Sequence, residues 1–216
     1  MNYGKLILVR HGLSVYNDQN RFTGWKDVDL NEQGVAEAKQ AVHLLKEIYF
    51  DIAFTSKLKR ASDTLDLILK GIKQDTIPIE KSLALNERDY GDLVGQNKTE
   101  AAKEFGNEQV HIWRRSYDIP PPGGESLKDT AERVIPYLNE KILPHVFDGK
   151  NIIVSAHGNS IRAIVMELKK FSPEEILKTE IGWCEPWIFE FEGKKLINLE
   201  IKTRPNTKSM SKLPVL

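Results

Sequence analysis

Lys5-Leu6-Ile7-Leu8-Val9-Arg10-His11-Gly12 decides the fold. Four consecutive apolar residues behind one lysine suit a strand buried on both faces. The run then breaks into a cation, an imidazole and a glycine. In open α/β sheets, ligands bind beyond the carboxyl ends of the strands. Glycine at such an end lets the backbone turn tightly or approach a ligand. The same grammar recurs at Ile152-Ile153-Val154-Ser155-Ala156-His157-Gly158. If these two strands are neighbours, both imidazoles meet at one rim. A lone histidine is more often a core or surface residue. Two His-Gly turns after buried strands, one with an arginine beside it, point to a site instead.

Outward from these turns the chain alternates between two periodicities. Asn31 is placed to cap a helix running to about Ile48, with Val35, Ala38, Val42 and Leu45 as its apolar stripe. Ile52-Ala53-Phe54 reads as a buried strand, and Leu58 to Leu69 as a helix. Ile77-Pro78-Ile79 and Leu83-Ala84-Leu85 are weaker strand signals, and a helix covers part of Thr99 to Phe105. The stretch Asp118 to Glu125 is a break, after which Ser126 can cap a long helix. Pro136 lies inside that helix and either kinks it or marks a late start. Asn159 to Lys169 is a helix, and Trp187 to Phe191 with Leu196 to Ile201 form a terminal hairpin. This alternation predicts an α/β fold, a three-layer α/β/α sandwich whose mostly parallel sheet is flanked by helices. The expected organisation is one domain over residues 1–203 and a mobile tail over 204–216.

The 216 residues suit one domain with a sizeable core. Lys+Arg and Asp+Glu are both 31, so net charge gives no support to nucleic-acid or anionic-membrane binding. A single cysteine, Cys184, excludes an internal disulfide and any Cys-based zinc finger, and fits a reducing compartment. No apolar run approaches the ~18 residues of a membrane span. Leu6 to Val9 is too short for a signal-peptide core of ~7–15 residues, so a cytoplasmic protein is expected. The dinucleotide fingerprint, the P-loop, the H-E-x-x-H zinc motif and the G-x-S-x-G elbow are all absent from the sequence.

An imidazole is a competent nucleophile toward phosphorus when neutral, and with an ordinary pKa of ~6.5 much of it is neutral at pH 7. A transferring phosphoryl group needs in-line positioning and cationic donors. Arginine serves best, being always charged and bidentate. Arg10 stands beside His11, and Arg60 lies near a helix start after a strand, again at a sheet rim.

Arg10-His11-Gly12, Arg60 and His157-Gly158 together resemble the histidine phosphatase superfamily. Longer runs are similar to the cofactor-dependent phosphoglycerate mutases: Asn20 to Trp25, Asp27 to Leu30, Leu85 to Arg88 with Tyr90-Gly91, Asn97-Lys98, Trp113-Arg114-Arg115 and Ala156 to Ser160. The resemblance implies interconversion of 3-phosphoglycerate and 2-phosphoglycerate, with 2,3-bisphosphoglycerate as primer and intermediate and no metal. His11 would carry the phosphoryl group, Arg10, Arg60 and His157 would stabilise it, and Glu87 would be the general acid/base. Ser14, Asn17, Thr23, Gly24, Gly158 and Asn159 would contact phosphate or substrate. Tyr90, Lys98, Arg114 and Arg115 would hold the substrate carboxylate and distal phosphate. The implied partner is a small phosphorylated substrate, with a homo-oligomer such as a dimer open beside a monomer.

Four features depart from the family pattern. Leu13 stands where an acidic or amide residue is usual, and the connection Ser116 to Glu125 is short, as in compact members. Gly182-Trp183-Cys184-Glu185-Pro186 replaces the usual Thr-Gly-x-Pro, and the tail after Arg204 is short. Trp25, Trp113, Trp183 and Cys184 are read as packing residues without chemistry, and Lys208 and Lys212 as tail cations that could close over a pocket. Two other readings stay open. One is a phosphatase, in which water accepts the phosphoryl group. The other is a non-catalytic binding protein, for which Leu13 is the only support.

Overall fold

The computed structural model describes residues 2–214. Strands β1 (Tyr3–Arg10), β2 (Ile52–Ser56), β3 (Ile79–Ser82), β4 (Asn151–Ala156), β5 (Trp187–Glu192) and β6 (Lys195–Ile201) form a single sheet in the order β3-β2-β4-β1-β5-β6. The four strands β3, β2, β4 and β1 are parallel. The terminal hairpin β5–β6 adds antiparallel to β1 and makes the sheet mixed.

Alternating side chains of β1 enter two cores, as expected of a strand covered on both faces. Ile7 and Val9 pack with Ala53 and Ile153 beneath α2 (Glu32–Leu45) and α3 (Lys59–Gly71). Leu6 and Leu8 pack with Phe54, Ile152 and Val154 against α6 (Leu127–Tyr137), α7 (Leu143–Phe147) and α8 (Gly158–Lys169). This is the expected helix–sheet–helix layering. The remaining helices are short: α1 (Val15–Asp18), α4 (Lys98–Phe105), α5 (Asn107–Arg115) and α9 (Pro173–Lys178). A small third core of Phe22, Leu93, Ala101, Val110 and Trp113 lies under α4 and α5. Among the described residues no helix is long and apolar enough to cross a membrane.

Several local expectations are corrected. Helix α2 is capped by Asn31, whose side chain accepts the Gly34 N–H at 2.8 Å. Its buried face is Gly34, Glu37, Ala38, Ala41 and Leu45 rather than the stripe containing Val35 and Val42, because the inner positions are chosen by close approach to the β1 exit. Leu83–Leu85 is a 3₁₀ turn, not a strand; Ser82 caps it by accepting the Ala84 N–H. Helix α5 was not expected, its inward face being only Val110 and Trp113. Pro136 sits inside α6, and the chain passes into a π-turn at Leu138–Ile142 directly after it. Part of the segment after Arg204 is hydrogen-bonded to the domain. The buried Glu185 carboxylate accepts the Met210 and Ser211 N–H groups and the Ser209 hydroxyl, and Lys212 pairs through its backbone with Glu180. Residues 215 and 216 lie outside the described residues.

The turn after β1 is pressed backbone-to-backbone on α2. A Cβ on Gly34 would stand 2.1 Å from the Leu13 carbonyl oxygen, and one on Gly12 would stand 2.3 Å from the Gly34 oxygen. Backbone cannot swing aside as a side chain can. Gly34→Ala is therefore expected to destabilise the protein by about 2–3 kcal/mol in urea unfolding, as overpacking of a rigid contact does.

Candidate active site

The parallel register of β1 and β4 sets Arg10 opposite Ala156, and the His11 N–H donates to the Ala156 carbonyl at 3.0 Å. The next residue on each strand is thus a histidine at the same sheet edge. The imidazole centroids of His11 and His157 are 5.0 Å apart. Arg60 joins them from the first turn of α3, which starts just past the end of neighbouring β2. All three are buried. The structure brings residues 11, 60 and 157 together at one edge of the sheet.

Each of these groups is held in a defined state. The His11 Nδ1 lies 2.6 Å from the Gly12 carbonyl oxygen. A carbonyl only accepts, so Nδ1 carries the proton and Nε2 keeps its lone pair. The His157 Nε2 bonds the Ser56 hydroxyl at 2.8 Å. Burial, then the Arg60 and Arg10 guanidinium groups, hold His11 well below the ordinary imidazole range. Burial, Arg60, His11 and Arg10 do the same for His157. Both rings are therefore neutral at pH 7. Arg60 donates to the Gly24 and Lys26 carbonyls at 2.9 and 3.0 Å, and burial pushes it down to about 10, so it stays charged. Arg10 donates to the Ile181 carbonyl at 2.8 Å, under the Trp183 ring at 5.1 Å.

Above this floor opens a cavity of about 170 Å³. Its walls carry Arg10, Arg21, Lys98, Arg114, Arg115 and Arg162, with Asn17, Thr23, Gly24, Tyr90, Gly158 and Asn159 between them. His11, Arg60 and His157 lie one residue or one hydrogen bond behind wall residues. Arg10 Nε, Thr23 Oγ1, Arg60 Nε and His157 Nδ1 are buried with no hydrogen-bond partner. Unpaired buried polar atoms cost free energy. Three cationic or hydrogen-bonding residues and a hydroxyl left unpaired around one hollow fit an oxyanion such as a phosphoryl group.

Among the described residues, Glu87 and Glu180 are the carboxylates that line the cavity. The Glu87 Oε1 accepts the Arg88 and Asn159 N–H groups at 2.8 and 3.1 Å. Its Oε2 faces Gly158, where a Cβ would stand 3.8 Å away and enter the cavity. Arg133 holds the Glu87 loop by donating to the Ala84, Asn86 and Glu87 carbonyls at 2.8–3.0 Å while bonding Glu125. The Trp25 indole N–H donates to the same Glu87 carbonyl at 2.6 Å. Trp25 was expected in the core; it is 39% exposed and clamps this loop instead.

Ser14 is buried outside the cavity lining; it caps α1, and its hydroxyl bonds the Asn17 side chain at 2.9 Å. Arg115 and Arg162 share Glu180 in two 2.8 Å ion pairs. Arg21, Arg162 and Glu180 were missed. Arg162 had a signal, standing one helical turn after Asn159 on the face that α8 turns to the site. Leu13 is buried outside the lining, and Lys208 and Lys212 are exposed and outside it. Cys184 is buried, which pushes its thiol up and keeps it protonated. Among the described residues no group of His, Cys, Asp and Glu could hold a metal ion.

The two depressed histidines make stability depend on pH. In the unfolded chain they take up protons below ~6.5, whereas the folded chain keeps them neutral. Stability is therefore whole above that value and is lost as pH falls toward the lower folded-state values. Each histidine contributes a slope of up to about 1.4 kcal/mol per pH unit in that window. Urea unfolding in phosphate-free buffer should show a steeper loss between pH 6.5 and 5 for wild type than for the His11→Gln/His157→Gln double variant.

Comparison with known proteins agrees with this geometry. The histidine phosphatase superfamily (branch 1) matches residues 6–202. A Bradyrhizobium diazoefficiens protein named 2,3-bisphosphoglycerate-dependent phosphoglycerate mutase is 57% identical over 194 residues, 89% of this chain and 94% of its own. One of the same name from Nitrobacter hamburgensis is 61% identical over 190 residues, 87% of this chain and 92% of its own. Among solved structures, an alpha-ribazole phosphatase from Shigella flexneri superposes with a TM-score of 0.80 at 21% identity, covering 92% of this chain and 95% of its own. A Bacillus anthracis phosphoglycerate mutase superposes with a TM-score of 0.74 at 23% identity, covering 93% and 92%. At such identities these two show the fold alone. With the superfamily matched over nearly its whole length and these close relatives behind it, the chain belongs to the histidine phosphatase superfamily and, within it, to the 2,3-bisphosphoglycerate-dependent phosphoglycerate mutase family.

Proposed function

We propose that this chain interconverts 3-phosphoglycerate and 2-phosphoglycerate through a phosphohistidine at His11. One observation carries the reading. A neutral imidazole with its Nε2 lone pair free lies beneath a cavity whose walls hold more cations than one phosphate needs. A ligand with two phosphates and a carboxylate matches that charge. The unpartnered Arg10, Thr23, Arg60 and His157 atoms suit one of those phosphates. When bound, 2,3-bisphosphoglycerate supplies the phosphoryl group that primes His11.

In this reading His11 Nε2 attacks phosphorus, and the bond from phosphorus to the ester oxygen breaks. Glu87 Oε2 delivers a proton to the departing oxygen. In the return step Glu87 takes the proton from a glycerate hydroxyl as that oxygen attacks, and the N–P bond breaks. Arg10, Arg60 and His157 meet the negative charge spread over the phosphoryl oxygens. Asn17, Thr23, Gly24, Gly158 and Asn159 orient the phosphate, with Ser14 acting through Asn17. Tyr90, Lys98, Arg114 and Arg115 hold the far end of the substrate, joined by Arg21 and Arg162. The reading places the enzyme in the cytoplasm, where glycolysis makes and uses its substrates.

A coupled assay from 3-phosphoglycerate to 2-phosphoglycerate, with and without the bisphosphate, tests it. Isomerisation should depend on the bisphosphate, and labelled bisphosphate should leave an acid-labile label on wild type and none on His11→Ala, which should not turn over. Glu87→Gln should lower kcat by about 10²–10⁴ with KM near wild type. Arg114→Ala should raise KM by about tenfold or more, the value of a charge-assisted hydrogen bond, with a smaller effect on kcat. Rapid phosphate release without isomerisation would make the protein a phosphatase and reject the mutase.

A further inference from the structure

One buried carboxylate has no part in the scheme above. Glu37 stands on the inward face of α2, 1% exposed, outside the cavity lining. Its Oε2 accepts the Leu13 backbone N–H at 2.9 Å. Its Oε1 accepts from Gln33 at 3.1 Å and lies 3.4 Å from the Arg204 guanidinium, itself buried. The Leu13 N–H and the Gly12 carbonyl belong to one peptide unit. That same carbonyl accepts the His11 Nδ1–H at 2.6 Å. A single amide group therefore joins the Glu37 carboxylate to the nucleophilic imidazole.

The geometry and the electronics of that link point the same way. A peptide is planar, so holding its N–H fixes the direction of its carbonyl. A carboxylate on the N–H polarises the amide and strengthens the hydrogen bond its oxygen accepts. The Nδ1 proton is held more firmly, and the positive charge that grows on the ring as Nε2 bonds to phosphorus meets a chain ending in a negative group. Packing alone would not call for a charge here, since burying one costs several kcal/mol and well-packed apolar residues often serve as well.

We propose that Glu37 is a positioning residue for His11: through the Gly12–Leu13 peptide its carboxylate holds the imidazole in the Nδ1–H tautomer, aims Nε2 at the hollow, and stabilises the ring once it carries a phosphoryl group. Arg204 and Gln33 steady the carboxylate, and the contact of Gly12 with Gly34 brings α2 close enough for the reach. The role rests on His11 being the phosphoryl acceptor.

The test uses the full chain with ¹⁵N-labelled histidine, as wild type, Glu37→Gln and Glu37→Leu. Glu37→Gln is near-isosteric and can still accept the Leu13 N–H, so it isolates the charge even if the leucine variant does not fold. Wild type should show His11 protonated at Nδ1 with a strongly downfield proton. In Glu37→Gln that proton should move upfield, with kcat about tenfold lower and KM within about twofold. In Glu37→Leu the second tautomer should appear, with kcat about a hundredfold lower. Unchanged Nδ1 proton shift and kcat in Glu37→Gln would overturn the proposal, as would a loss carried by KM with the His11 spectrum unaltered. The NMR contrast needs no substrate. If it persists while wild type takes no label from bisphosphoglycerate, the coupling stands and the mutase reading falls.

Discussion

The pairing of β1 with β4 is the constraint from which the site follows. Each strand is apolar on both faces, so each is committed to the middle of the sheet. Their parallel register then places Arg10 beside Ala156 and delivers two histidines to one edge. A slip of one residue would turn every inward side chain to the other core, and Leu6, Leu8, Ile152 and Val154 would exchange layers with Ile7, Val9 and Ile153. Core packing thereby enforces the imidazole spacing, although neither ring belongs to either core.

That spacing sets two opposed demands. A nucleophile must be neutral, and a phosphoryl cradle must be positive. Under the proposed function, burial and the adjacent guanidinium groups satisfy both at once, since the charge that would attract phosphate also keeps a proton off the rings. The surrounding carboxylates limit the mutual repulsion of the cations. Glu87 faces Arg10 from within the cavity, Glu180 pairs with Arg115 and Arg162, and Glu37 pairs with Arg204 behind the His11 turn.

The sheet and the central residues were legible because each is signalled locally. A strand reads as an apolar run, and a turn as His-Gly. The resemblance supplied the wall residues that spacing alone could not. What escaped reading was interaction between distant segments. Trp25 looks like core by composition, yet its indole serves a carbonyl on the Glu87 loop. Glu37 looks like one more surface carboxylate of an amphipathic helix, and only the fold sets it under the Leu13 amide. Leu83–Leu85 is too short for periodicity to separate strand from turn. Residues 209–211 lack any apolar pattern because backbone groups and a serine hydroxyl, not apolar side chains, fasten them to Glu185.

The clasp of Arg115 and Arg162 on Glu180 gives the mouth of the cavity a counterion of its own. If these arginines hold the substrate as proposed, an incoming anion trades places with a tethered carboxylate. A univalent ion such as chloride gains almost nothing by that trade, whereas a ligand of several negative groups recovers the loss elsewhere along the walls. Under the proposed function, the resting site would act as an ion exchanger that selects for valence before it selects for shape.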